Sequence, residues 1–368
     1  MGYGTIILIT GVLCASACAL LGSFLILRRM AMMSDAISHA ILPGLVFGYF
    51  IADGPNIITG AVGATGAALL TVIIVQALER TKKLDISAAI GIAFAAMFAL
   101  GTILISRFFS NVHLDSDAIL YGNIEFSSFD RFYLGDRDLG PASFWTMGIL
   151  FVINLGFLLL FYKELKLTTF DPGLAASIGI APAIIHYGLM AVLSVTAVGA
   201  FSAVGAILVV ALIIVPAATA YLLTDRLPIM IGGSVAFGAL SAVFGYYSAL
   251  WTDASVSGFI ASWTGIFFAL ALLFSPSQGI IAQWFQRRSH RQRFAIDMLL
   301  VHLLNHSGTR EQRSESSIGH VEAALRWTPE QANRAIDRAQ DRGYVLQEQG
   351  SLILTQNGRS LAARVMER

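Results

Sequence analysis

Long runs of almost uncharged, mainly apolar residues follow one another through the first 275 positions of this 368-residue chain. About 20 such residues are needed to cross the hydrocarbon part of a bilayer as a helix, so each run of that length predicts a membrane span. Nine runs qualify, at residues 4–27, 34–52, 55–78, 86–106, 143–162, 182–200, 203–223, 229–251 and 256–275. The two runs that meet near residue 201 are short, and eight spans are the alternative.

Charge divides the chain into two parts. Only 13% of the residues are charged, against about 25% in soluble domains, which excludes one large soluble core. Residues 286–368 carry 13 arginines, no lysine and nine acids, whereas residues 1–285 carry 11 basic and 14 acidic residues. The sequence therefore predicts an all-α polytopic membrane domain over 1–285 and a basic, water-exposed domain over 286–368.

Basic residues in the short loops predict the orientation, because lysine and arginine accumulate on the cytoplasmic side. If the N-terminus lies outside, the cytoplasmic loops hold eight of them: Arg28, Arg29, Arg80, Lys82, Lys83, Lys163, Lys166 and Arg226. The opposite loops hold Arg107, Arg131 and Arg137. We therefore expect an external N-terminus, and nine spans then place the basic C-terminal domain in the cytoplasm.

An acid and a histidine occur together in the second predicted span. Asp35 and His39 are four residues apart, which places them on one face of a helix. Ionisable groups in a span are costly and mark functional sites, and first-row divalent ions accept mixed carboxylate and imidazole ligands. The pair supplies two ligands, so a second subunit facing it would complete a site. Pro43 and Gly44 just beyond are expected to act as a hinge.

The same residues have a simpler interpretation. Asp35 or its neighbour Ser34 would stabilise the N-terminus of this helix, where the dipole favours an acid. His39 would then be an interfacial histidine. The residues alone leave both interpretations open.

Two segments between spans are distinctive. Asp171 can cap a helix that begins at Pro172 and ends near Gly179; this helix is either a connector or a plug for a groove on a partner protein. The external loop over 107–142 contains the titratable residues His113, Asp115, Asp117, Glu125, Asp130, Asp136 and Asp138. That loop is a solvated acidic loop, or a docking surface or cation funnel, and its apolar part at 119–129 is expected to form a short interfacial helix.

The basic domain has its own element order. A helix through 290–306 is followed by a polar break at 307–317, a helix at 318–327 and a capping box at Thr328 and Gln331. The helix that this box begins runs to about Arg342. Segments 344–347 and 351–355 predict a hairpin, and 358–367 a last helix. This order is that of a small α+β winged-helix domain.

Enzyme chemistry has no support in the sequence. It contains no Gly-x-x-x-x-Gly-Lys-Ser/Thr phosphate-binding loop and no serine, histidine and acid arrangement that indicates a nucleophile. We therefore expect a chain that is not an enzyme and that does not hydrolyse nucleotides by the usual means.

Five stretches carry a family resemblance. They are LGSFLILRRM at 21–30, DAISHAILPG at 35–44, LDSDAILYG at 114–122, FDPGLAASIGI at 170–180 and GAILVVALIIVPAATA at 205–220. In this order the chain resembles, over about residues 1–280, the permeases of zinc-, manganese- and iron-type ABC transporters, the ABC-3 family.

The resemblance implies a bacterial plasma-membrane importer subunit for manganese, zinc or iron that works by alternating access and has no permanently bound cofactor. It implies three partners: a cytoplasmic ATPase that binds ATP, an extracytoplasmic metal-binding protein and a second permease subunit, identical or similar. It assigns Asp35 and His39 as metal ligands of the pathway. The expected ATPase-coupling residues are Phe170, Asp171, Pro172, Ala175 and Gly179.

The tail, over about 295–368, resembles the winged helix of iron- or manganese-dependent repressors. Arg334, Arg338 and Arg342 follow one another along the helix over 328–342 and could contact DNA phosphates. A tethered protein-interaction or regulatory domain is the alternative. Two other functions stay open for the whole chain: a membrane-tethered, metal-responsive transcription regulator and a permease for metal chelates.

Overall fold

The computed structural model describes residues 2–52, 54, 57–108, 124–126, 131–134, 137–276, 279–308, 312–348 and 350–366. These residues form two compact units, Met1–Gly279 and Ile280–Arg368. The division lies before the helix Ile280–Asn305, which runs without interruption through the expected boundary at residue 286.

The first unit is helical, apart from a small hairpin. Its helices are α1 (Tyr3–Leu27), α2 (Met33–Ala52), α3 (Ile57–Arg80), α4 (Ile86–Phe108), α5 (Ala142–Leu160), α6 (Tyr162–Phe170), α7 (Pro172–Ser177), α8 (Pro182–Val204), α9 (Ala206–Leu223), α10 (Leu227–Thr252) and α11 (Val256–Phe274). Among the described residues, nine of these are long and apolar enough to cross a membrane, all except α6 and α7. Nine spans, rather than eight, is therefore the count that the structure supports.

Gly205 separates the two short spans whose junction the sequence left in doubt. Its φ of +82° belongs to the left-handed region that favours glycine, and it ends α8 and precedes α9. The break therefore falls a few residues after the expected position near residue 201.

α1 is the central helix of the first unit. Most of its residues from Thr10 to Leu25 are buried, and it packs against α5, α8, α9 and α10. α11 closes against α9 and α10, and α2 packs against α3 and α4. In the middle of these helices the amide of Asn154 donates to the Ala17 carbonyl at 3.0 Å and accepts from the Thr196 hydroxyl at 3.0 Å. A buried polar side chain with both ends paired fixes how α5, α1 and α8 meet.

Glycines allow the closest of these contacts, between α2 and α3. A Cβ added at Gly44 would overlap the backbone of Gly63, and one added at Gly48 would overlap the backbone of Thr59. Backbones approach this closely only where side chains are absent. α2 itself continues through Pro43 without a break, so Gly44 has a packing role, and the hinge at Pro43 and Gly44 stays a prediction.

The external loop differs from expectation where it is described. A single 3₁₀ turn occupies Ile124–Phe126, and an antiparallel hairpin that the sequence did not predict pairs β1 (Arg131–Leu134) with β2 (Arg137–Pro141). Most of the expected interfacial helix at 119–129 lies outside the described residues. Glu125 accepts a hydrogen bond from the backbone N–H of Val256 at 2.7 Å, so this acid caps α11, and its role is structural.

The second unit follows the predicted order closely. It consists of α12 (Ile280–Asn305), α13 (Gln312–Glu315), α14 (Ile318–Leu325), α15 (Pro329–Asp341), β3 (Val345–Glu348), β4 (Ser351–Leu354) and α16 (Gln356–Met366). The capping box of Thr328 and Gln331 is present as predicted. α13 was missed inside the polar break, because a four-residue helix has no periodicity to detect.

The second unit has its own apolar core. It is formed by residues of α12, α14, α15, the hairpin and α16, among them Leu299, Leu300, Val321, Ile336 and Val345. Ser317 makes an isolated antiparallel bridge with Ser351, which adds a third segment beside the hairpin.

Candidate metal site and coupling segment

The structure brings Asp35 and His39 together on α2. Nε2 of His39 lies 3.5 Å from Oδ1 of Asp35, and the two side chains are 28% and 36% exposed respectively. Asp35 is in the first turn, so with a rise of about 1.5 Å per residue it lies about 3 Å and His39 about 9 Å along the helix. The pair therefore lies towards one end of the span and remains accessible.

Aromatic rings of α4 orient the histidine. The His39 imidazole meets Phe94 and Phe98 edge-on, with ring centroids 4.9 and 5.5 Å apart. These contacts restrict its rotation and hold the ring beside the carboxylate. Phe94 and Phe98 were not singled out in the sequence, because an aromatic i,i+4 pair in a span is ordinary lipid-facing composition.

The serines around the pair are engaged with the backbone. The Ser34 hydroxyl donates to the Ala31 carbonyl at 3.1 Å and the Ser38 hydroxyl to the Ser34 carbonyl at 2.9 Å. Ser34 therefore makes a different bond from that of an N-cap, whose side chain accepts from a backbone N–H. Asp35 does lie where the helix dipole favours an acid. That electrostatic contribution is compatible with a ligand role as well.

The coupling segment forms the predicted capped helix. Oδ1 of Asp171 accepts from the Leu174 N–H at 2.8 Å, Pro172 is the first residue of α7, and Gly179 follows the helix with φ +89°. The expected cap, first residue and end of this helix are thus confirmed as local structure. Its six residues make about 1.7 turns, close to the two turns expected.

Three apolar residues of this segment are exposed. Phe170, Leu174 and Ile178 are 61%, 49% and 60% exposed, and they recur every four residues, whereas Ala175 is fully buried. We call Phe170, Leu174 and Ile178 the coupling face. Ala175 therefore has a role in anchoring α7, and the coupling face was only partly anticipated, since Leu174 and Ile178 were not among the predicted residues.

Arg28 links the end of α1 to this region. Its guanidinium donates to the hydroxyls of Thr168 and Thr169 on α6 at 2.9 and 3.0 Å, and Nη1 lies 3.3 Å from Nδ1 of His186 on α8. Burial lowers the pKa of Arg28 to about 10, so the side chain stays charged at neutral pH. In the sequence, Arg28 entered the orientation count and the motif at 21–30. Its contact with His186 was not predicted, because no spacing rule connects residues 158 positions apart.

The remaining predicted residues add little to the description of the site. Of the acidic loop, His113, Asp115, Asp117, Asp130 and Asp136 lie outside the described residues, as does the 114–122 motif. On α15, Arg334 pairs with Glu330 of the same helix at 3.0 Å, and DNA binding through 328–342 stays a prediction.

Fold and site together define a class: a polytopic helical membrane protein with an ionisable pair in its second span and a short capped helix between its fifth and sixth. The model of the ABC 3 transport family matches residues 5–275. The chain belongs to this family.

Individual relatives agree with that assignment. The manganese transport system membrane protein MntD of Bacillus subtilis is 44% identical over 283 residues, which are 77% of this chain and 96% of that protein. The zinc transport system membrane protein TroD of Treponema pallidum is 40% identical over 356 residues, 97% of each chain. TroD thus extends through the second unit as well.

A solved structure has a similar fold over most of the chain. The structure of PsaBC from Streptococcus pneumoniae in complex with Fab contains a chain with 32% identity and a TM-score of 0.62. The match covers 76% of this chain and 94% of that one.

Proposed function

We propose that this chain is the membrane-spanning permease subunit of an ATP-driven importer for a divalent metal ion, with manganese, zinc and ferrous iron as the candidate ions. The observation that carries the proposal is the Asp35–His39 pair, 3.5 Å apart and accessible within a span. The relatives named for manganese and zinc transport support the class of ion. A carboxylate with an imidazole suits all three ions, so the pair does not choose among them.

Asp35 and His39 are the proposed ligands of the pathway. Two ligands are fewer than the four or more that first-row ions take. A second permease subunit that presents its own pair would complete the site on the axis between the subunits. Occupancy must be transient, since an ion held too tightly would not be released.

The coupling face of Phe170, Leu174 and Ile178 is the proposed docking surface for the ATPase. Exposed apolar residues on and beside a short, well-capped helix suit insertion into a groove of a partner. Arg28, five residues before α2 begins, then connects α6 and α8 to the end of α1. ATP-driven closure of the ATPases would move α7 and, through these contacts, expose the pair alternately to each side.

The orientation and the tail complete the proposal. The loop charges favour an external N-terminus, where a metal-binding protein delivers the ion, and a cytoplasmic tail in a bacterial plasma membrane. We propose that Ile280–Arg368 is a winged-helix domain, because three helices of its core precede a hairpin that the Ser317–Ser351 bridge widens. Metal import does not depend on this assignment.

Ion uptake into proteoliposomes tests the function. The transporter would be reconstituted with its ATPase and binding protein, and accumulation of Mn²⁺, Zn²⁺ and Fe²⁺ compared with ATP and with a non-hydrolysable analogue. We expect accumulation of at least one ion that requires hydrolysis. Uptake of a metal chelate in place of every free ion, or no uptake by a complex that hydrolyses ATP, would contradict the proposal.

A further inference from the structure

Three histidines of the second unit lie together at the end of α12. His302 is within the last turn of this helix, His306 follows it, and His320 is in the first turn of α14. The three side chains are partly buried, and each offers a ring nitrogen that lies within 4.8 Å of the other two. They are three of the seven histidines in the chain.

The three rings are in contact with one another. The centroid of His302 is 4.6 Å from that of His306 and 5.6 Å from that of His320, and the last two are 6.0 Å apart. An ion at the centre of a triangle with 4.8 Å sides would be about 2.8 Å from each nitrogen. Metal–imidazole bonds are about 2.1 Å long, so each ring would move inward by about 0.7 Å, which a side-chain rotation supplies.

Glu315 on α13 supports two of the rings. Its carboxylate pairs with Nδ1 of His306 at 2.5 Å, and its backbone carbonyl lies 3.4 Å from Nε2 of His302. A carboxylate or carbonyl on one ring nitrogen is the usual partner of a metal-binding histidine, because it fixes the tautomer and orients the ring.

We propose that His302, His306 and His320 bind one divalent first-row transition ion, with Glu315 as the residue that positions His306. Three nitrogen ligands favour zinc, ferrous iron or cobalt over magnesium or calcium, which prefer oxygen. The site lies in a different unit from Asp35 and His39, and the inference does not rest on the proposed transport function. A bound ion would connect α12 to α14 across the segment 306–317.

The competing explanation is aromatic packing alone. Imidazole rings packed against one another beside a carboxylate would make the same contacts without any ion. Metal binding separates the two explanations, since packing predicts no stoichiometric ion and metal coordination predicts one per chain.

The test is a Co²⁺ titration of the full-length chain in detergent, followed by visible absorption, because cobalt bound to nitrogen ligands gives characteristic bands. The parent for this experiment is Asp35→Asn/His39→Gln, which removes the proposed pathway ligands. We expect one Co²⁺ per chain, displaced by Zn²⁺. His320→Gln should abolish the bands, and Glu315→Gln should weaken affinity about 10- to 100-fold. The control Glu330→Gln removes an exposed carboxylate of the same unit and should change nothing.

Two results would overturn the proposal: no stoichiometric cobalt in the double-variant parent, or the same spectrum and affinity after His320→Gln. If His320→Gln fails to elute as a folded chain in size exclusion, His306→Gln provides the same test. Because transport is not measured, failure here leaves the proposed import function intact, and failure of import leaves this site intact.

Discussion

The guanidinium of Arg28 lies 3.3 Å from Nδ1 of His186 and joins residues at the ends of two different membrane helices. Since the guanidinium can only donate, this geometry requires a lone pair on Nδ1, and the imidazole proton is on Nε2. Nε2 is buried and has no hydrogen-bond partner among the described residues. A histidine held in this way serves as an acceptor for Arg28, and together with the threonines of α6 it fixes the end of α1.

Arg28→Ala is therefore expected to destabilise the first unit. The substitution removes a charged donor from three acceptors, and a hydrogen bond to a charged group contributes about 1.5–3 kcal/mol. We expect the free energy of unfolding to fall by about 2–4 kcal/mol in total. The measurement is the thermal unfolding midpoint of the chain in detergent. Arg226→Ala, at an exposed arginine, is the matched control and should change stability by no more than about 0.5 kcal/mol. Equal effects of both substitutions would contradict the structural role of Arg28.

Gly44→Ala tests the close contact of α2 and α3. The new methyl group would overlap the Gly63 backbone, so the helices must separate, and overpacking of this kind costs about 1–3 kcal/mol. Gly66→Ala on α3 is the control, since a Cβ there meets nothing within 4 Å and alanine is the better helix former. A lowered unfolding midpoint for Gly44→Ala only is expected. If Gly44→Ala is as stable as the parent, the backbone contact is not as close as described.

Leu174→Ala tests the coupling face. Leu174 is half exposed on α7, and removal of its side chain takes away an apolar contact with the proposed ATPase, so we expect affinity for the ATPase to fall about tenfold or more while the chain remains folded. The measurement is ATPase retention on the immobilised permease. Leu160→Ala at the end of α5 is matched in type and is more exposed, at 74%, and should retain the ATPase. Loss of retention in both variants, or in neither, would argue against a specific docking face.

Most of the fold could be predicted from signals that are local in the sequence. The spans follow from the apolar runs. The start of α7 follows from Asp171 and Pro172, and that of α15 from Thr328 and Gln331, because a helix cap depends on residues within one turn. The hairpin over 131–141 was missed, since its strands are short and carry no alternating pattern. The division at residue 280 differs from the charge boundary at 286 because one continuous helix, Ile280–Asn305, includes both positions, and a charge count does not detect helix continuity.

For the candidate site, too, only the local part could be predicted from the sequence. Asp35 and His39 could be paired from their spacing, since four residues make one helical turn. The contacts of His39 with α4, of Arg28 with α6 and α8, and of the three tail histidines depend on how distant segments pack. No spacing rule gives that packing from a single sequence.

The central claim is that Asp35 and His39 bind the transported ion, and ATP-driven uptake by their variants tests it most directly. Asp35→Asn and His39→Gln keep the size and polarity of the side chains, but Asp35→Asn removes the charge and His39→Gln the imidazole ligand. We predict that each lowers initial uptake by the reconstituted transporter at least tenfold, whereas assembly and basal ATP hydrolysis persist. Asp253→Asn, at an exposed acid that ends α10 with φ +51°, should transport like the parent. Uptake that survives both substitutions would contradict the claim and leave Asp35 as an acid that only stabilises the start of its helix.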